Sequence, residues 1–232
     1  MRPFDAHMHF REPEAAPDWD LVCCGTHPAQ WPEVLAWAAR APRVRPCLGL
    51  HPWWLRHAGE GWAEALEAAL RNSRAGVGEC GLDGAMVEAD PAAQLAALRV
   101  HVRLARELDR PLVLHVVRAW GRLDALLKEE PLPRRVMVHA FSGSPETAAA
   151  LQRRGIFLSF APLGHRSVRI QAALRAADPA LLLLESDAED PRGQAALPDW
   201  VTAAAACRGE DADALGRRCA ENARRCFEGV SA

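Results

Sequence analysis

Short apolar runs alternate with longer amphipathic stretches along the whole chain. The apolar runs are PFDAHMHF (3–10), LVCCGT (21–26), VRPCLGLH (44–51), AGVGECGL (75–82), PLVLHV (111–116), VMVHAF (136–141), GIFLSFA (155–161) and LLLLESD (181–187). They are rich in Val, Leu and Cys and show little polar alternation. Strands buried on both faces of a parallel, helix-covered sheet have this pattern. Between them, apolar residues at helical spacing predict helices over 28–40, 60–73, 90–109, 118–130, 144–155 and 167–178, and two more over 198–209 and 211–229. Asp90 before Pro91 and Ser144 before Pro145 mark helix starts, and Gly155 marks an end. Repeated βα units of this length favour an α/β protein built as a (β/α)8 TIM-type barrel over an open sheet. No linker or low-complexity segment interrupts the pattern, so one barrel domain over 1–232 is expected.

Composition narrows the reading only slightly. Half of the 232 residues are hydrophobic and a quarter are charged, enough for a substantial core. The net charge of −2 rules out an overall basic field, although a local patch or bound metal ions would still allow nucleic-acid binding. Lys128 is the only lysine among 28 basic residues. The cysteines are Cys23, Cys24, Cys47, Cys80, Cys207, Cys219 and Cys226, odd in number and without a C-x-x-C. They read as reduced, mostly buried thiols of a cytoplasmic protein. No basic-then-apolar leader and no apolar run near the ~20 residues of a membrane span is present, so no membrane partner is expected.

The unusual polar residues choose one place. His7 and His9 end the first run, His51 the third, Glu79 the fourth, His115 the fifth, His139 the sixth and Asp187 the eighth. In a parallel barrel these ends share one mouth, where the active sites of such enzymes sit. A single histidine on an apolar strand is more often a core residue bonded to backbone, but scattered core histidines have no reason to prefer the same end of every strand. Glu79 and Asp187 follow apolar runs, and a buried unpaired carboxylate is costly. A metal centre relieves both and also binds neutral imidazoles. The six ligands His7, His9, Glu79, His115, His139 and Asp187 are too many for one catalytic zinc. They suit two ions bridged by a carboxylate and roughly 3.5–4 Å apart. Glu79, on a strand of its own and central in the order, is the natural bridge. One ion is expected to take His7, His9, Glu79 and Asp187, and the other Glu79, His115 and His139. Asp187 is expected to act as general base. Asp5 is expected to orient a histidine, and Cys80 to face away from Glu79.

The stretches FDAHMHF, GLHPWW, GECGLD, PLVLHVVRAW, VHAFSG, LLLLESDA and ENARRCF, in this order over residues 4–227, resemble the TatD family of metal-dependent deoxyribonucleases, within the amidohydrolase-like barrels. The resemblance implies a TIM-type barrel, a divalent metal centre on the six residues just named, and DNA, single-stranded in one reading, as the substrate. In it His51 looks like a substrate contact, or a residue behind the ligands, rather than a ligand. Three departures stand out. Gly84 follows Asp83 where the family carries an aromatic residue, Arg118 is displaced by one position, and Ser186 replaces a threonine. Arg118, His165 and Arg166 are candidates for phosphate contacts, weighed against solvated surface residues. Trp53 and Trp54 are candidates for stacking on a base, the alternative being that one of them packs on a helix. Four histidines favour Zn, Mn, Fe, Co or Ni on ligand softness, while the resemblance implies Mg-supported nuclease activity in some members. Hydrolysis of a small ester or amide, and a barrel acting as a partner-binding subunit, are the alternatives.

Overall fold

The computed structural model describes residues 3–9, 19–86, 90–162, 167–189 and 196–232. Eight strands form one sheet in sequential order: β1 (Phe4–His9), β2 (Asp20–Gly25), β3 (Val44–Leu48), β4 (Gly76–Asp83), β5 (Leu112–Val117), β6 (Val136–Val138), β7 (Phe157–Phe160) and β8 (Leu182–Leu184). Every neighbouring pair is parallel. The sheet closes where the segment after β8 meets β1: Asp187 N donates to His7 O at 3.1 Å and His9 N to Ala188 O at 2.9 Å. This is the expected (β/α)8 barrel.

The helices are α1 (Trp31–Arg40), α2 (Trp62–Arg71), α3 (Pro91–Glu107), α4 (Trp120–Glu129), α5 (Pro145–Gln152), α6 (Val168–Ala176), α7 (Leu197–Arg208) and α8 (Ala212–Cys226). The two expected N-caps form, since Asp90 accepts from Ala92 N and Ser144 from Thr147 N. Two 3-10 turns were not legible in the pattern, Pro52–His57 and Pro179–Leu181. No described helix is long and apolar enough to cross a membrane.

Two apolar layers hold the barrel. The larger lies between sheet and helices and includes Leu21, Val77, Leu114, Val138, Leu158 and Leu184. The smaller contains Phe4, Val22, Cys24, Cys47, Val113, Met137, Phe157 and Leu183 from seven strands. It is joined by Ala220, Ala223, Cys226 and Phe227 from α8 and its end. The rings of Phe4 and Phe227 stack with centroids 6.5 Å apart. All seven cysteines are free thiols, six of them buried.

β6 and β8 are shorter than the apolar runs that encode them. After Val138 and Leu184 the chain leaves the ladder, though single backbone bonds remain, such as His139 N to Leu114 O at 3.0 Å. Arg118, Ala140 and Asp187, beyond the ends of β5, β6 and β8, have left-handed φ of 48°, 42° and 51°. Such conformations are uncommon for residues with a Cβ and cluster at functional sites.

One buried histidine serves the scaffold. His101, on α3, accepts from Leu50 N through Nε2 at 3.0 Å, and its Nδ1 faces Ala97 O at 2.7 Å. Its ring stacks on Trp62. Burial pushes its pKa down to about 4, so the folded protein holds it neutral. An unfolded chain takes up the proton near pH 6.5, so the stability from neutral His101 is complete above that pH. It is lost as pH falls toward 4, by roughly 3 kcal/mol in all and about 2 kcal/mol by pH 5. Urea unfolding at pH 7.5 and pH 5 is expected to show this slope. His101→Gln is expected to reduce it by that amount, and an unchanged slope would remove His101 from the account.

Candidate metal centre

The two strands that carry the central donors are irregular. The β1–β2 register shifts between Asp5 and Met8, and the β4–β5 register shifts between Val77 and Cys80. Such irregularities re-aim side chains next to active sites. β4 also presses closely on β5: Gly81 has φ +152°, and a Cβ there would lie 1.9 Å from His115 O. Only glycine allows that approach.

Glu79 is the hub of the mouth, with its side chain 1% exposed. Its two oxygens face different histidines. Oε2 lies 3.3 Å from His7 Nε2 and 3.8 Å from His9 Nδ1. Oε1 lies 3.2 Å from His51 Nε2, 3.1 Å from His115 Nδ1 and 2.7 Å from His139 Nε2. Asp187 Oδ1 sits 3.8 Å from His7 Nε2 and 3.4 Å from His9 Nε2. The rings of His7 and His139 stack at 4.0 Å.

These groups shape each other's protonation. Burial alone would raise the Glu79 carboxyl, but His139, His51, His7 and His115 hold it well below the usual carboxylate range. Burial and the nearby His139 keep His7 low. Burial also opposes a proton on His139, yet Glu79 and Glu185 raise its pKa well above normal. His115 is raised despite burial by Asp83 and Glu79. Burial works against ionised Asp187 as well, but His9, His139 and His7 lower its pKa.

Most expected residues come together. His7, His9, Glu79, His115, His139 and Asp187 share one mouth, and His51 joins them as a buried ring against Glu79. The side of Glu79 that was expected to hold His115 and His139 therefore carries a third imidazole. Of the two tryptophans after His51, Trp53 reaches the site: its Nε1 donates to Asp83 Oδ2 at 2.8 Å. Trp54 turns away and packs on His27, with ring centroids 4.4 Å apart. Arg118 is exposed just past the end of β5. Glycine at 84 has a local reason, because a Cβ there would sit 2.6 Å from the Arg118 carbonyl oxygen. His165 and Arg166 lie outside the described residues.

Asp5 differs from expectation. Its carboxylate accepts from Ser186 N at 2.8 Å, Ser186 Oγ at 2.6 Å and, more weakly, His7 N at 3.4 Å. It anchors the segment that carries Asp187 instead of orienting a ring. Burial pushes its carboxyl up to about 7, against the Ser186 bonds. Cys80 behaves as expected, packing in the sheet–helix layer.

Two acidic residues escaped the reading by strand ends. Asp83 Oδ2 lies 3.2 Å from His115 Nε2. Glu185, fully buried, accepts from Ala140 N at 2.6 Å and lies 3.5 Å from His139 Nδ1. The cost of burying a carboxylate, which singled out Asp187, applies equally to Glu185 two residues earlier. Asp83 ends the same strand as Glu79. Cys24 Sγ lies 3.5 Å from His7 Nδ1, on the ring edge away from Glu79.

The donor set fits divalent cations. His7 Nε2, both Glu79 oxygens, Asp187 Oδ1, His139 Nδ1 and Glu185 Oε2 are buried and crowd one another at ion-pair range without making well-directed hydrogen bonds. Leaving so many polar atoms orphaned in one place is costly unless a cation satisfies them. Three overlapping triads have donor atoms within 4.8 Å of one another: His7–Glu79–His139, His7–His9–Asp187 and His51–Glu79–His115.

A parallel eight-stranded barrel with imidazoles and carboxylates converging at its C-terminal mouth defines a metal-dependent hydrolase. Comparison with known proteins makes this specific. Residues 4–228 match the family described as TatD related DNase, and the chain belongs to that family. It is 31% identical over 231 residues to the 3'-5' ssDNA/RNA exonuclease TatD of Erwinia billingiae, covering 89% of this chain and 87% of that protein. It is also 31% identical over 212 residues to the uncharacterized metal-dependent hydrolase YjjV of Escherichia coli K12, covering 82% and 80%. The crystal structure of the YjjV TatD homolog from Escherichia coli K12 superposes with a TM-score of 0.89 at 26% identity, covering 97% and 98% of the two chains.

Proposed function

We propose that this protein is a nuclease that hydrolyses phosphodiester bonds of single-stranded DNA or RNA, using two divalent cations bridged by Glu79. The observation that carries the reading is the division of labour at Glu79, whose two oxygens face separate sets of imidazoles. His7, His9 and Asp187 would hold one cation with Glu79 Oε2. His115 and His139, with His51 beside them, would hold the other with Oε1. The relative named as a 3'-5' ssDNA/RNA exonuclease supports the choice of substrate. The histidine-rich donor set favours an imidazole-binding metal such as Zn over Mg on softness.

Cations bound there would supply Lewis acidity, activating a water and neutralising charge on the attacked phosphate. The protein's own groups do the rest. Glu79, ionised and dry, offers a fixed anion on both sides. Asp187, whose side chain is 23% exposed, is the carboxylate that water can reach. It remains ionised next to His9 and accepts the proton as general base. Asp83 fixes the His115 ring through Nε2, leaving Nδ1 toward Glu79. Arg118, exposed at the rim, contacts a flanking phosphate. Asp5 and Ser186 keep the Asp187 segment against β1.

The test is hydrolysis of end-labelled single-stranded DNA and RNA by purified protein with Mg, Mn or Zn, and after chelation. Cleavage that needs a cation and proceeds from the 3' end is expected. No cleavage of either polymer with any cation would overturn the reading and direct attention to small esters and amides. His7 provides a second check. Its Nε2 faces Glu79 and Asp187, so its proton belongs on Nδ1, where Cys24 sulfur accepts it. Removing such a partner typically costs 10–100-fold in metal affinity. Cys24→Val is expected to weaken cation binding by about that factor in a chelator competition, with Cys24→Ser closer to the parent. Equal affinities in all three would show that the sulfur does not matter.

A further inference from the structure

A cavity of about 490 Å³ opens beside the centre, between the 3-10 turn after β3 and the first half of α3. Trp53, Leu55 and Trp62 line it together with Ala93, Ala96 and Val100 of α3. The three α3 residues are spaced three and four apart and so share one helix face. Small side chains make that face a flat wall. The two indoles are already fixed. Trp53 is 54% exposed, yet its Nε1 is held by Asp83. Trp62 stacks on His101 with ring centroids 5.4 Å apart and an interplanar angle of 20°. Aromatic walls held in place lose little side-chain entropy when a ligand arrives.

The charged lining residues, among those described, are Arg56 and Asp90. Arg56 Nε donates to His57 Nε2 at 2.9 Å, and Asp90 caps α3. The cavity therefore offers flat apolar and aromatic surface and is not a phosphate site. It also shares a wall with the metal centre. Trp53 touches Asp83, Asp83 touches His115, and the rings of Trp53 and His115 are 6.2 Å apart. A strand of nucleic acid has this same adjacency, an aromatic base a few bonds from a phosphodiester.

We propose that the cavity holds a nucleobase of the strand whose neighbouring phosphodiester is presented to the metal centre. The proposal rests on the nuclease reading and adds where the base goes. Stacking on indole is tolerant of base identity, so the cavity positions the strand without selecting its sequence. Its volume lies within the range of small-ligand pockets, roughly 300–1,000 Å³.

The test begins with metal-free protein, so that catalysis plays no part. Deoxyadenosine and thymidine are titrated by calorimetry, with ribose 5-phosphate as the baseless control. Both nucleosides are expected to bind and the control not to. Ala96→Trp and Ala93→Trp fill the cavity from exposed positions on α3, where a larger side chain leaves the core alone. Each is expected to weaken nucleoside binding about tenfold or more. On single-stranded DNA each is expected to raise KM by a similar factor while kcat and bound metal stay near the parent's. Nucleosides that fail to bind the parent, or that bind both filled variants as tightly, would overturn the proposal. Cleavage with an unchanged KM in both variants would also overturn it, while leaving the nuclease reading in place. Nucleoside binding lost on filling, in a protein that cleaves no nucleic acid, would support the base site and overturn the nuclease reading.

Discussion

Glu79→Gln is expected to abolish hydrolysis, lowering kcat/KM by roughly four orders of magnitude, and to reduce the number of cations bound per chain. The side chain is buried at the centre of the mouth, and its two oxygens face the two sets of imidazoles. Glutamine keeps the shape but loses the charge, and it offers an amide N–H₂ where one oxygen had been. Five histidines would then surround a neutral group. Any cations that remained would lose their shared anion and their fixed spacing. Metal analysis after dialysis, run beside the kinetics and circular dichroism of the variant, checks the prediction. A folded variant that keeps two cations and activity within tenfold of the parent would remove Glu79 from the bridging role.

Asp187→Asn is expected to lower kcat by roughly 10²–10⁴-fold, the usual worth of a general base, with a smaller effect on KM. The difference from Glu79 is one of exposure. Asp187 meets water at 23% exposure, whereas Glu79 is shut off at 1%. The backbone bond from Asp187 N to His7 O survives the substitution, so the segment should stay in place. Cation content is expected to fall less than in Glu79→Gln, because His7, His9 and Glu79 remain. Single-turnover kinetics at saturating substrate isolate the chemical step. If kcat holds and only cation affinity falls, Asp187 is a ligand alone and the proton goes elsewhere.

The sequence by itself determined the barrel and most of its mouth. Eight apolar runs separated by helical periodicities leave few alternatives to a parallel α/β architecture, because burial on both faces requires the same apolar continuity in every strand. The polar residues ending those runs marked the mouth, since a sheet of parallel strands brings equivalent ends together. Only the tertiary structure decided which donors meet. Asp5 reaches Ser186 across 181 positions, and Trp53 reaches Asp83 across 30. Local periodicity carries no information about such pairs. The adjacent Trp53 and Trp54 part company, one toward Asp83 and the other onto His27. The glycine at 84 departs from the family pattern for a reason only the fold shows, since a Cβ there would meet the Arg118 carbonyl. Periodicity records which faces are buried. Register, strand irregularities and contacts between distant loops determine what each buried polar atom faces.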